Sequence, residues 1–119
     1  FKRVDMMNFD IMIHSGIKVF RIHNPRATST IAPEFRNLLI EEITMNPGAI
    51  IAIDFSKVDY IDSSFIGSLV AGYKESLKYN VTIKVFGTQE RVESTFESTK
   101  LYNLFEIFKN FTQLKKTLE

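Results

Sequence analysis

No cysteine occurs among the 119 residues of the chain. Disulfides, a thiolate nucleophile and a cysteine-ligated zinc are therefore excluded, and the composition suits a reducing cytoplasm. Long apolar runs are missing as well. The longest, "AIIAI" at 49–53, is far too short to cross a bilayer, and no signal peptide is visible. Neither sign of charge dominates: 15 basic residues stand against 14 acidic ones, a formal net charge of +1, and no basic block occurs. The chain thus lacks the electrostatic footprint of a protein that binds nucleic acid or an anionic membrane.

What remains is ordinary for a globular protein, with 45% hydrophobic and 24% charged residues. The length fits one domain over residues 1–119, large enough to build a real core. The chain opens on Phe1 rather than Met, which leaves room for residues or a larger partner domain upstream.

Hydrophobic patterning predicts the order β-β-α-β-α-β-α-β-α. Residues 6–24 read as a hairpin in which "FDIMIH" and "IKVFRIH" flank a Ser15-Gly16 turn. Pairing His14 with Ile17 sets Met12 opposite Val19 and the opposite charges Asp10 and Arg21 together. The other face then carries Phe9 by Ile22 and Ile11 by Phe20, so the sheet is expected to be covered mainly on that side. "NPRATSTIAP" reads as a turn-rich crossover. Beyond it, Ile31, Phe35, Leu38, Leu39 and Ile43 share a helical stripe that starts near Pro33 and stops at Asn46-Pro47-Gly48.

"AIIAIDFS" has the consecutive apolar residues of a central strand buried on both faces. A second helix is predicted from about Ser64 to Tyr79, then a strand at "VTIKVFG" and a third helix over "QERVESTFESTKLYNLF" with Val92, Phe96 and Leu101 inward. "FEIFKN" supplies a short last strand and "FTQLKKTLE" a terminal amphipathic helix. The fold class is α/β, with a mixed sheet of about five strands and about four helices packed mainly on one face.

The second helix carries two stripes. Ile66, Leu69, Val70, Tyr73 and Leu77 form the expected core-facing arc. Phe65, Ser68, Gly72, Ser76 and Tyr79 form another, with a floor of small residues and an aromatic at each end. That second stripe reads either as close packing against a neighbouring helix or as a shallow groove for a partner's helix. Because Phe65 lies outside the core arc, it is expected to be exposed and to contribute to docking.

Asp62-Ser63-Ser64 stands where a strand becomes this helix. Asp and Ser are preferred N-caps because their oxygens accept the unpaired N–H groups of the first turn. The same N–H groups and the helix dipole favour an anion by about 0.3–1 kcal/mol. A phosphate on Ser63 would therefore leave the helix standing while adding about −1.5 to −2 charges beside Asp62. A helix start and a regulated surface are compatible at this place.

Other chemical signals are weak. Gly67 and Gly72 have phosphate-loop spacing, but Tyr73 replaces the required Lys and both glycines fall inside a helix. His14 and His23, the only histidines, read as ordinary strand residues without a ligand cluster or an evident route to the serines. No catalytic residue, cofactor or metal is assigned.

The stretch "AIIAIDFSKVDYIDSSFIGSL" resembles the signature of STAS domains, the fold of bacterial anti-sigma factor antagonists. That family's pattern is an apolar strand, Asp-Leu-Ser, an apolar residue, Asp-Ser-Ser or Asp-Ser-Thr, Gly, and an apolar helix. The resemblance extends to the early hairpin, "TIAPEFRNLL" and "LYNLFEIF". By it, Ser63 matches the serine phosphorylated by a cognate anti-sigma factor kinase, and Asp62 and Ser64 match its flanking residues. It implies a non-enzymatic cytoplasmic switch in regulation of transcription. The unphosphorylated form binds the anti-sigma factor and releases sigma; phosphorylation ends the binding and a serine phosphatase restores it. Asp62, Ser64, Phe65, Ser68, Gly72 and Thr28 are the candidate partner-binding residues, with no nucleic acid and no membrane insertion.

The chain departs from the pattern at Phe65, where the family has Gly, and at Pro25-Arg26-Ala27-Thr28, where it has an acid. The alternative is a STAS binding module without phosphorylation, in a lipid-transport complex or a stress-signalling scaffold. A small enzyme or nucleotide-binding protein is a third reading.

Overall fold

A computed structural model describes the backbone of residues 2–5 and the whole of residues 8–119. Phe1, Met6 and Met7, the last two being the expected start of the hairpin, lie outside the described residues. Strand β1 (Lys2–Asp5) pairs antiparallel with β2 (Phe9–His14), which pairs antiparallel with β3 (Ile17–Ile22). The β2–β3 register is the expected one: Asp10 opposite Arg21, Met12 opposite Val19 and His14 opposite Ile17. Ser15 (φ 54°) and Gly16 (φ 78°) supply the two positive φ values of a two-residue hairpin turn.

Two residues, Arg26–Ala27, form β4, and helix α1 (Ala32–Met45) then crosses to β5 (Ile50–Asp54), which lies parallel to β3. Strand β6 (Tyr60–Ile61) precedes α2 (Ser63–Lys78), which leads to β7 (Thr82–Phe86), parallel to β5. Helix α3 (Glu90–Ser98) is followed by a 3₁₀ turn at Leu101–Asn103, by β8 (Glu106–Phe108) parallel to β7, and by α4 (Phe111–Lys116). Among the described residues the main sheet thus has six strands in the order β1-β2-β3-β5-β7-β8, and β4 pairs with β6 in a separate parallel ribbon. The expected sheet of about five strands gains β1 at its edge; two-residue β4 and β6 are too short to show a period.

The third helix is shorter than expected. It stops at Ser98, and Lys100 takes a left-handed φ of 61° before the 3₁₀ turn. Thr95, Ser98 and Thr99 hydroxyls donate to the backbone carbonyls of Arg91 and Thr95, the local competition that weakens helices at such residues. Val92, Phe96 and Leu101 are nevertheless buried, as their spacing predicts.

Helices α1, α2 and α3 cover one face of the sheet, where Phe9, Phe20, Phe35, Phe55, Phe65 and Phe96 join a single apolar cluster. Edge-on and stacked ring contacts link these six side chains, including Phe20 to Phe35 at 5.2 Å and Phe55 to Phe96 at 5.6 Å. The other face carries a smaller cluster of Ile17, Val19, Ala52, Phe86 and Leu114, closed by α4. Asp10 and Arg21 are register partners, but their charges are met elsewhere. Arg21 Nε lies 3.4 Å from Asp54 Oδ2, and Asp10 Oδ2 lies 2.6 Å from His23 Nε2.

The start of helix α2

Helix α2 begins where β6 ends, and Asp62 sits between them. Its Oδ1 accepts the Phe65 N–H at 2.9 Å, the bond of an N-cap. Its Oδ2 accepts the Ser29 N–H at 2.8 Å, from a loop 33 residues earlier. The Asp62 N–H in turn donates to the Ala27 carbonyl at 3.2 Å. One carboxylate therefore satisfies a donor of α2 and fastens the crossover loop against it. On the loop side, the Thr28 carbonyl accepts the N–H groups of Ile31 and Ala32 at 3.0 and 2.9 Å, starting α1.

Ser63 and Ser64 occupy the first two positions of α2, and both are exposed. Thr28 is half-buried and Ser29 is exposed beside them. Folding thus brings together Thr28, Asp62, Ser63 and Ser64 from the residues singled out in the sequence.

Phe65 and Gly72 do not join that surface, and Ser68 is nearly covered. Phe65 is 0% exposed, stacked on Phe35 with ring centres 4.4 Å apart. The expectation of an exposed, docking Phe65 is therefore overturned. Ser68 is 7% exposed, and its hydroxyl donates to the Ala32 carbonyl at 3.0 Å. Gly72 lies under α1: a Cβ there would run into Leu39 Cδ2 and lie 3.2 Å from Cγ.

The physical reason is that α2 is turned relative to the arc drawn from hydrophobicity. Its buried residues are Phe65, Ser68, Leu69, Gly72 and Ser76, whereas Leu77, assigned to the core arc, is 65% exposed. Small side chains let the α1 and α2 backbones approach, so the stripe packs against a neighbouring helix. Ile66, Val70 and Tyr73 flank it, half-buried.

An open groove of about 710 Å³ does exist along the edge of that contact, with Ser68 and Ala32 in its wall. It runs between α1 and α2 past Ser29, Arg36, Asn37, Ile40, Ser64 and Gly67. Arg36 and Asn37 were not singled out from the sequence; Pro33, Arg36, Asn37 and Ile40 recur at spacings of three and four on α1, the signal that could have found them. Near the site's other flank, the guanidinium groups of Arg26 and Arg91 lie 4.5 and 4.9 Å from the ring centre of Tyr60. These cations lie in β4 and α3, and nothing in their local sequence marks them as neighbours.

His14 ends β2, and His23 lies one residue beyond β3. Among the described residues, no group of three or more His, Cys, Asp or Glu could hold a metal ion. No helix among them is long and apolar enough to cross a membrane.

A family model for the STAS domain matches residues 8–114. The anti-sigma-B factor antagonist of Listeria monocytogenes serovar 1/2a is 30% identical over 76 residues, 64% of this chain. The match spans 66% of that relative's length, just under two thirds. An anti-sigma-factor antagonist (STAS) domain protein from Planctomyces limnophilus superposes with a TM-score of 0.85 at 14% identity, over 97% of this chain and 100% of that one. The Bacillus cell fate determinant SpoIIAA, in its phosphorylated form, gives a TM-score of 0.68 at 15% identity, over 93% and 99% of the two chains. Likeness at these identities speaks for the fold.

Proposed function

The chain belongs to the STAS domain family, and from that premise we propose that it is an anti-sigma factor antagonist whose partner binding is switched by phosphorylation of Ser63. In this reading the unphosphorylated protein binds an anti-sigma factor serine kinase and so frees a sigma factor. The kinase phosphorylates Ser63 and ends the association, and a serine phosphatase restores it. The protein acts by binding, without turnover of its own.

The observation that carries the reading is the exposure of Ser63 at the first position of α2, directly after an Asp62 whose two oxygens are both engaged. A kinase can reach the Ser63 hydroxyl without opening the core. The cap bonds belong to Asp62, so modification of Ser63 removes none of them. The new dianion meets the N-terminal end of a 16-residue helix, where the dipole favours it. A partner seated on the same surface meets something different. It must bury about −1.5 to −2 added charges next to the Asp62 carboxylate, which is costly unless it supplies counter-charge.

Docking in this reading involves Thr28, Asp62, Ser64 and the groove between α1 and α2. Ser68 lines that groove, while Phe65 and Gly72 act from beneath, by fixing how α2 lies on α1. The names of the Listeria and Planctomyces relatives agree with an antagonist role, and the phosphorylated SpoIIAA is a precedent on the same fold.

Incubation with the cognate kinase and ATP, followed by intact-mass analysis and site mapping, tests the proposal. One phosphate is expected, on Ser63, and none on Ser63→Ala, which should still bind the partner. Phosphate at another residue only, or none from a kinase shown to be active, would refute the switch.

A further inference from the structure

On the sheet face opposite α1, α2 and α3, a cavity of about 310 Å³ lies beside α4. Buried Val19 of β3 and Phe86 of β7 line it together with Met12, His14 and Phe111. The rings of His14 and Phe86 lie 4.9 and 5.6 Å from that of Phe111, so the lining is largely aromatic. At about 30 Å³ for each water-sized group, the space admits about ten non-hydrogen atoms. None of these residues belongs to the groove between α1 and α2.

Two charged side chains complete the wall, Arg21 and Asp54. Asp54 is buried, and both its oxygens are engaged: Oδ1 accepts the Ser56 N–H at 2.8 Å, and Oδ2 faces Arg21 Nε at 3.4 Å. The Arg21 Nη groups make no hydrogen bond among the described residues, although each carries two donors. The carboxylate is fully used within the protein; the guanidinium is not. The register partners of Arg21 on both neighbouring strands are carboxylates, Asp10 and Asp54. An anionic ligand would bring a third negative charge to one guanidinium, and a cationic ligand would meet the guanidinium itself. An uncharged acceptor avoids both costs.

We propose that this cavity is a binding site for a small uncharged aromatic molecule that carries one carbonyl oxygen. Its ring packs among Phe86, Phe111 and His14 over Val19, and its carbonyl accepts from Arg21 Nη. Burial of the ring drives association, and the guanidinium selects for the acceptor. A concave apolar lining with one or two placed polar groups is the usual build of a small-molecule site. The proposal is independent of Ser63, and its test involves neither kinase nor partner.

Titration of the isotope-labelled protein with acetophenone, ethylbenzene and benzoate, followed by amide NMR shifts, tests the proposal. Acetophenone is expected to bind saturably, with its shifts concentrated at Val19, Arg21, Phe86 and Phe111. It should bind about 10-fold more tightly than ethylbenzene, which keeps the shape and lacks the acceptor, as expected for a hydrogen bond to a charged group. Benzoate, which adds a charge, should bind more weakly than acetophenone. Arg21→Met should bring acetophenone down to the ethylbenzene level and leave ethylbenzene unchanged, an outcome that general loosening of the fold does not produce. In the unsubstituted protein, where no variant has to fold, three results would each overturn the proposal. They are no saturable shift at the cavity, equal affinity for acetophenone and ethylbenzene, and tighter binding of benzoate. An undiminished preference for the ketone in folded Arg21→Met would do the same.

Discussion

The first turn of α2 and its middle both carry small polar residues, but for different reasons. Ser63 and Ser64 are small at an exposed helix start, where Asp62 provides the cap. Ser68 and Gly72 are small because α1 lies against them, with the Ser68 hydroxyl bonded to the Ala32 carbonyl, and the buried Ser76 hydroxyl bonds back to the Tyr73 carbonyl of its own helix. One stretch is available to another molecule; the other fixes the helix in place. Smallness alone therefore does not mark a docking surface: what a side chain would meet if it were larger decides the matter.

Substitutions along α2 should separate the two regions by which quantity they move. Phe65→Ala has the largest expected effect, a loss of about 3–5 kcal/mol from removing a fully buried ring in contact with Phe35 and Phe55. Chemical denaturation measures it. A loss below about 1 kcal/mol would mean that the ring is not the core element described. Next comes Gly72→Leu, which should cost about 1–3 kcal/mol by forcing Leu39 aside and parting α1 from α2.

Asp62→Ala belongs to the boundary between the regions. Loss of the cap is expected to cost about 0.5–2 kcal/mol. Amide hydrogen exchange should accelerate at both Ser29 and Phe65, the two donors that Asp62 holds. Acceleration at Phe65 alone would show that the loop is fastened by something else. The smallest effect is expected at Gly67, where an added Cβ meets nothing within 4 Å. Gly67→Ala should stabilise the helix by up to about 1 kcal/mol, so a destabilised Gly67→Ala would place that side of α2 against something.

Much of this architecture was legible because it rests on short-range pattern. The hairpin register follows from alternation in "FDIMIH" and "IKVFRIH" together with a turn that accepts two positive φ values. The strand β5 declared itself by an unbroken apolar run, and Asp62 by its place before a helical stripe. The rotation of α2 was not legible. Hydrophobicity gave weight to Ile66, Val70 and Leu77 and none to Gly72, while close approach to α1 decides the buried arc.

The long-range bonds were equally hidden. Nothing in the local sequence says that Asp62 holds Ser29, or that His23 sits between Asp10 and Lys57. Each joins segments that only the folded sheet and its crossover bring together. The expected pairing of Asp10 with Arg21 shows the same limit. Register was right, yet each charge found a different partner once β5 and the loop after β3 were in place.

The most direct test of the switch compares phosphorylated with unphosphorylated protein in two assays on the same samples: thermal unfolding and titration with the anti-sigma factor. The account predicts nearly the same melting temperature for both forms and a loss of affinity of at least tenfold, about 1.4 kcal/mol, in the phosphorylated one. A phosphorylated protein that unfolds well below its unmodified counterpart, or one that binds equally well, would contradict it.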